Sequence, residues 1–169
     1  IQQPAERPGL GTVFGERLRS VVSYVSFERA QPAPDGVVSI HYNDYQGLAA
    51  MARQLSRTCC TALPGFAVGA GVTVQVTDAW RRPLGGLQLA GRTLVLGRAT
   101  ERYGLLVYNQ TGRRVEVVAT VDGLDVIDGR PAGLEKRGYI ITANSTFFLE
   151  GFRTSQSTVA AFRFGSVRE

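Results

Sequence analysis

The stretch that most constrains the fold is residues 103–129, YGLLVYNQTGRRVEVVATVDGLDVIDG. Tyr103, Leu105 and Val107 alternate with Gly104, Leu106 and Tyr108. Beyond a polar break, Val115, Val117, Ala119 and Val121 alternate with Glu116, Val118 and Thr120. A period of two among β-branched and aromatic residues is the pattern of strands with one buried face. The linking Asn109-Gln110-Thr111-Gly112 predicts a β-hairpin, because Gly112 can take the positive φ that a short turn with a bulge needs. Asp122-Gly123 and Asp128-Gly129 predict two further turns, with Leu124, Val126 and Ile127 as a short apolar link.

The rest of the chain extends this β character. Val21, Val25 and Phe27 predict a strand over 19–28, and residues 37–42 predict a second. The period then changes. Leu48, Met51, Ala52 and Leu55 form one helical stripe, which predicts a helix over 44–56 with Asn43 as its cap and Gln46 at the capping-box position. Residues 57–71 read as a loop. Strands follow over 72–77, 87–89 and 92–96, then a second hairpin, 139–142 with 146–150 across Ala143-Asn144-Ser145, and a last strand over 159–164. Residues 1–12, with two prolines, read as an extended N-terminal arm, and 13–169 as a single compact domain. Within it, 13–56 is a strand–strand–helix segment, 57–71 a loop and 72–166 an antiparallel β-sandwich. The predicted class is mainly β: β-sandwich-like antiparallel sheets with one amphipathic helix from the N-terminal part. A chain of 169 residues can bury one such core, and its 20 glycines suit the many turns.

Charge and cysteine content narrow the function. The formal charge is +5, and Lys136 is the only lysine beside the arginines. The arginines are spread along the chain, and neither a basic helix nor an aromatic ribonucleoprotein motif accompanies them, so nucleic acid is not an expected partner. Cys59 and Cys60 are adjacent, too close at Cα for an unstrained disulfide and without the spacing of a zinc site, so they read as buried or loop thiols. No apolar run is long enough to predict a transmembrane segment.

RPGLGTVFGE at 7–16, HYND at 41–44, NQTGRRVEVVATVDGLDVIDG at 109–129 and EGFRTSQSTVAAFRF at 150–164 resemble a family of exported proteobacterial proteins of uncharacterised function. Residues 103–166 carry the most specific part of that resemblance. It implies an envelope or secreted location, periplasmic or associated with the outer envelope. Members of the family continue past the equivalent of Ser166-Val167, which implies that the native chain does too. The family has no agreed activity, so the resemblance transfers no catalytic residue.

Candidate chemistry is sparse. His41, the only histidine, lies in a predicted strand beside Tyr42; a hydrolase would have to use it with nearby acids. Neither a phosphate-binding loop nor a dinucleotide fingerprint occurs, and no cofactor is predicted. The strongest candidate binding residues are Asp122, Asp125 and Asp128 with Arg130, in a turn-rich segment 122–131 that reads as a recognition loop. Their carboxylates could offer oxygen ligands to Ca²⁺ or hydrogen bonds to a sugar, although the spacing is not that of an EF-hand. Asn109 and Arg113 mark a separate edge at the other end of the strand. Tyr103, Tyr108, Tyr139, Phe147, Phe148 and Phe152 are expected to fill the sandwich core, the alternative being a sugar- or protein-binding face. The expected function is a non-enzymatic binding or structural module of a bacterial envelope, with an envelope protein or glycan as partner.

Overall fold

The computed structural model describes residues 9–54, 61–69, 71–89 and 91–166. It is mainly β, with several antiparallel sheets and one short helix, consistent with the predicted sandwich-like class. The central sheet is built on β5 (Val72–Asp78) and β8 (Tyr103–Asn109), which pair from Val72 opposite Asn109 to Asp78 opposite Tyr103. Strand β4 (Phe66–Gly69) flanks β5, and β13 (Ser145–Leu149) flanks β8. A second sheet has the order β2-β7-β6-β3, formed by β2 (Ile40–Asn43), β7 (Arg92–Leu96), β6 (Gly86–Leu89) and β3 (Thr61–Leu63). Here β2 runs parallel to β7, an exception to the antiparallel expectation. A third sheet joins the two ends of the described chain: β1 (Leu10–Arg19) pairs with β15 (Thr158–Ser166), which also pairs with β14 (Gly151–Arg153).

The core lies where the inward faces of these sheets meet. Phe162 and Phe164, two apart on β15, project to the same side and are fully buried. Burying each such ring contributes roughly 2–3 kcal/mol relative to leaving it in water. Tyr103 of β8 stacks on both, with ring centroids 4.3 Å from Phe164 and 5.3 Å from Phe162, and Phe152 meets Phe162 edge-on at 5.1 Å. Of the six aromatics expected to fill the core, Tyr103, Tyr139 and Phe152 are buried in it and Phe147 packs against it half-buried, whereas Tyr108 and Phe148 are half-buried outside it.

The two predicted hairpins do not close. Beyond β8 the chain does not fold back at Asn109–Gly112; it runs on into β9 (Val115–Val117). Strand β9 pairs with β12 (Tyr139–Ile141), and β12 in turn runs on into β13. The result is one long antiparallel ribbon, 103–117 against 139–149, broken at a corner where 110–114 face 142–144. The reason is Asn109. It is 1% exposed, and its Nδ2 donates to the carbonyls of Arg113, Ile141 and Thr142. Its Oδ1 accepts from the Thr111 N–H and hydroxyl. A single side chain thereby satisfies the backbone groups that the interrupted ladder leaves unpaired. Asn109 is therefore a buried plug, and the edge predicted for it with Arg113 is the ribbon's corner.

Other boundaries shift. The strand expected over 19–28 lies earlier, over β1, so the predicted arm gives way to a strand from Leu10 onward. The ladder with β15 continues as far as the bonds from Ser20 N to Ser157 O and from Val22 N to Gln156 O. A bulge between Phe14 and Arg17 breaks the alternation there, which hid the strand. Residues 23–39 form no strand; Arg29 ties this strap to the body by donating to Glu116 and to the carbonyls of Leu134 and Lys136. The helix α1 spans Tyr45–Gln54 and is capped by Asp44, not Asn43: the Asp44 carboxylate accepts from Gly47 N at 2.6 Å. The predicted loop 57–71 contains β3 and β4. Leu55, Cys59 and Cys60 lie outside the described residues.

Candidate functional site

The ribbon's far end, residues 118–138, carries the sequence-predicted acids. Strands β10 (Thr120–Val121) and β11 (Leu124–Asp125) pair across Asp122-Gly123. Both turn residues have positive φ, 49° and 78°, as a two-residue hairpin turn with the right twist requires. This turn holds Asp122 against the N-terminal strand. Its Oδ2 accepts from Thr12 N at 2.7 Å, and its Oδ1 accepts from the Tyr42 hydroxyl at 2.6 Å. The Thr12 hydroxyl lies 2.7 Å from Tyr42 Oη and 2.5 Å from Tyr103 Oη. Burial pushes both tyrosines well above the ordinary phenol range, and for Tyr42 the Asp122 carboxylate adds to the shift. They stay protonated donors at neutral pH, so the cluster fastens β1, β2, β8 and the turn together and supplies no base.

Asp125 is 1% exposed. Its Oδ1 accepts from the N–H groups of Ile127 and Asp128, which shapes the next turn. Asp128 faces outward and is held by Lys136 Nζ at 2.8 and 2.9 Å. That ammonium, followed by the Arg130 N–H, keeps the Asp128 carboxyl below the usual carboxylate value. Arg130 gives its N–H to Asp128 and its carbonyl to Asp125 N, with its side chain exposed. The segment brings the four residues into consecutive turns, with Asp122 and Asp128 engaged by different internal partners and Asp125 engaged through Oδ1 alone, its Oδ2 being buried without a hydrogen-bond partner. Among the described residues, no group of three or more His, Cys, Asp or Glu could hold a metal ion. His41 is exposed on β2 opposite Leu94, and among the described residues no serine or acid is hydrogen-bonded to it.

Two shallow depressions mark the surface. One, about 560 Å³, lies between the strap and the ribbon's end and is lined by Arg29, Pro32 and Leu134; the other, about 490 Å³, lies beside the start of α1. Arg29 is already spent on Glu116 and two carbonyls, so the first depression offers no free cation from it.

A different turn presents its side chains outward. Between β5 and Pro83, residues Asp78–Arg82 wrap around the Asp78 carboxylate. Its Oδ1 accepts from Trp80 N and Arg82 N, both at 2.9 Å, and its Oδ2 accepts from Arg82 Nε at 2.6 Å. Desolvation raises the Asp78 carboxyl, but these donors, led by the Arg82 N–H, outweigh it and hold the group below its ordinary value. Backbone bonds close the turn: Asp78 N to Arg82 O, and Arg81 N to Asp78 O. Arg81 sits at φ 62°, which aims its side chain across the sheet end. There its guanidinium lies 4.6 Å from the centroid of the Phe148 ring. Phe148 in turn lies over Gly104, where a Cβ would stand 2.5 Å from the ring, so only glycine leaves room for this layer. The Arg82 guanidinium lies 4.9 Å from the Trp80 centroid, and the indole itself is 75% exposed. This turn lies outside the acid-rich segment. The available signal was the only tryptophan of the chain set between Asp78 and Arg-Arg-Pro, where a turn leaves a large aromatic little to pack against.

Comparisons with protein families, with characterised proteins and with solved structures found no match for the chain.

Proposed function

We propose that the protein is a non-enzymatic binding module of the bacterial cell envelope, and that the Trp80 turn is its recognition surface. The observation that carries this reading is the exposure of Trp80 on a turn fixed by Asp78. Indoles are highly buried on average; this one contributes little to the fold from where it stands, with the Arg82 guanidinium as its neighbour, and is left available to a partner. Tryptophan and arginine are also the residues that concentrate binding energy at interfaces, and here three of them follow one another on a rigid support. The exported location rests on the family resemblance in the sequence. The internal partners of Asp122, of Asp128 and of Asp125 Oδ1 favour a structural role for the ribbon's end.

Immobilised protein exposed to envelope extract of the source cell tests the reading. Material held by the native protein and lost with Trp80→Ala is the expected result. Equal retention by both would place recognition elsewhere, and a parallel bait with Asp122, Asp125 and Asp128 changed to Asn would show whether the ribbon's end is that place.

A further inference from the structure

The geometry points to an acidic polysaccharide, one whose sugar rings carry carboxylates, as the ligand of the Trp80 turn; this rests on the binding-module reading above. Three observations converge. First, both guanidinium groups are positioned in advance. Arg81 lies on Phe148 and Arg82 on Trp80, and Arg82 is also held through Nε by Asp78. A stacked arginine has lost much of its rotamer freedom, yet it keeps its edge N–H groups free to fork onto a carboxylate. The Arg82 side chain is 71% exposed despite its two contacts. Second, the local charge is unbalanced, since the turn carries two arginines against the single carboxylate of Asp78, and that carboxylate is already engaged by Arg82.

Third, the turn's backbone has little left to offer a peptide. Asp78 takes the N–H groups of Trp80 and Arg82, the N–H of Arg81 goes to Asp78 O, and the Arg82 carbonyl is used by Asp78 N. The neighbouring edge of β5 is occupied as well, by Leu84 N donating to Val76 O. An added strand would therefore have no ladder to join here, which removes the usual source of affinity for an extended peptide. What remains is an exposed indole that carries the Arg82 guanidinium on its ring, with a second planar cation, Arg81, on the Phe148 ring of the same sheet end. The negative face of an indole attracts the polarised C–H groups on the flat side of a pyranose ring, and the guanidinium forks match carboxylates on the same chain. A sugar polymer with one acidic group per ring can satisfy both at once.

The test uses the tryptophan as its own reporter, because the chain has one and it lies in the site. Polygalacturonate is titrated while indole emission is followed, with uncharged dextran and polyglutamate in parallel. Polygalacturonate is expected to perturb the emission saturably, with affinity falling as salt rises from ~0.05 to ~0.5 M. Dextran and polyglutamate are expected to bind at least about tenfold more weakly, since each lacks one of the two contacts. Calorimetry on Arg81→Gln/Arg82→Gln and on Trp80→Ala is expected to show a loss of about tenfold or more for each, with circular dichroism unchanged. Polyglutamate binding as tightly as polygalacturonate, and lost with Trp80→Ala, would overturn the glycan assignment while leaving the binding surface intact. Polygalacturonate binding unaffected by either variant would overturn the assignment of the ligand to this turn. Absence of polygalacturonate binding to the native protein would overturn the ligand class, and the extract experiment would then decide separately whether the turn binds anything.

Discussion

Two turns in this molecule are built around an aspartate that gathers backbone N–H groups, and they put their side chains to opposite use. Asp125 accepts from Ile127 N and Asp128 N and is buried; the acids around it face a threonine, a tyrosine and a lysine of the same chain. Asp78 accepts from Trp80 N and Arg82 N near the surface and holds an indole and two guanidinium groups out into solvent. The chemistry of the hub is the same in both. What differs is whether the residues that the turn positions meet the protein or the water. A dense set of carboxylates is therefore a poor guide to a binding surface, because acids near turns are also what a chain uses to close its own backbone.

The contrast can be broken most forcefully at the buried hub. Asp125→Ala leaves two N–H groups without their acceptor in a buried turn and is expected to cost about 2 kcal/mol in urea unfolding. Binding at the Trp80 turn should persist. A cost no greater than that of an ordinary surface substitution would mean that the ribbon's end is as dispensable to the fold as the Trp80 turn is.

An intermediate effect is expected where the strap meets the ribbon. The Arg29 guanidinium, with a smaller contribution from the Gly138 N–H, holds the Glu116 carboxyl below the ordinary glutamate value of 4.5. A carboxyl lowered by folding stabilises the native state fully above its unfolded value. That stabilisation is lost as pH falls through the lower, folded value. Limited proteolysis should therefore spare the strap, residues 23–39, at pH above 4.5 and cut it progressively at more acid pH. The Arg29→Ala variant should be cut there already at neutral pH. Equal cleavage of native and variant protein at neutral pH would show that something other than this pair holds the strap.

The smallest effect belongs to the outward turn. Trp80→Ala removes a side chain that is mostly in water, so its unfolding free energy should match the native value within ~0.5 kcal/mol. A larger loss would mean that the indole supports the turn and is not simply displayed by it.

Much of this architecture was legible in the sequence. The alternation through Tyr103–Asn109 and Val72–Asp78 marked the two strands of the central sheet, and Asp122-Gly123 marked a true two-residue turn. The helix was found within a few residues of its ends. The errors came from local signals that tertiary structure overrode. Asn109-Gln110-Thr111-Gly112 has the composition of a hairpin turn, but two later strands, β13 and β12, captured its two halves, and only the buried amide of Asn109 shows why. Val21 and Val25 alternate as a strand would, yet both remain exposed, Val21 between the last two bonds of the β1 ladder and Val25 beyond it on the strap. The lone tryptophan between Asp78 and Arg-Arg-Pro was visible in the sequence, but its exposure follows from how the Asp78 turn folds, which the sequence pattern does not show.

The pairing of β1 with β15 also dictates when the protein can fold. Leu10 finds its neighbour in Ser166, and the most deeply buried rings, Phe162 and Phe164, belong to that late strand. A nascent chain emerging from the ribosome has neither the partner for its first strand nor the centre of its core until nearly all the described residues have been made. Contacts so distant in sequence form slowly, so the central sheet, whose strands all lie between residues 66 and 149, can pair first, while β1 and the rings of β15 are added only at the end.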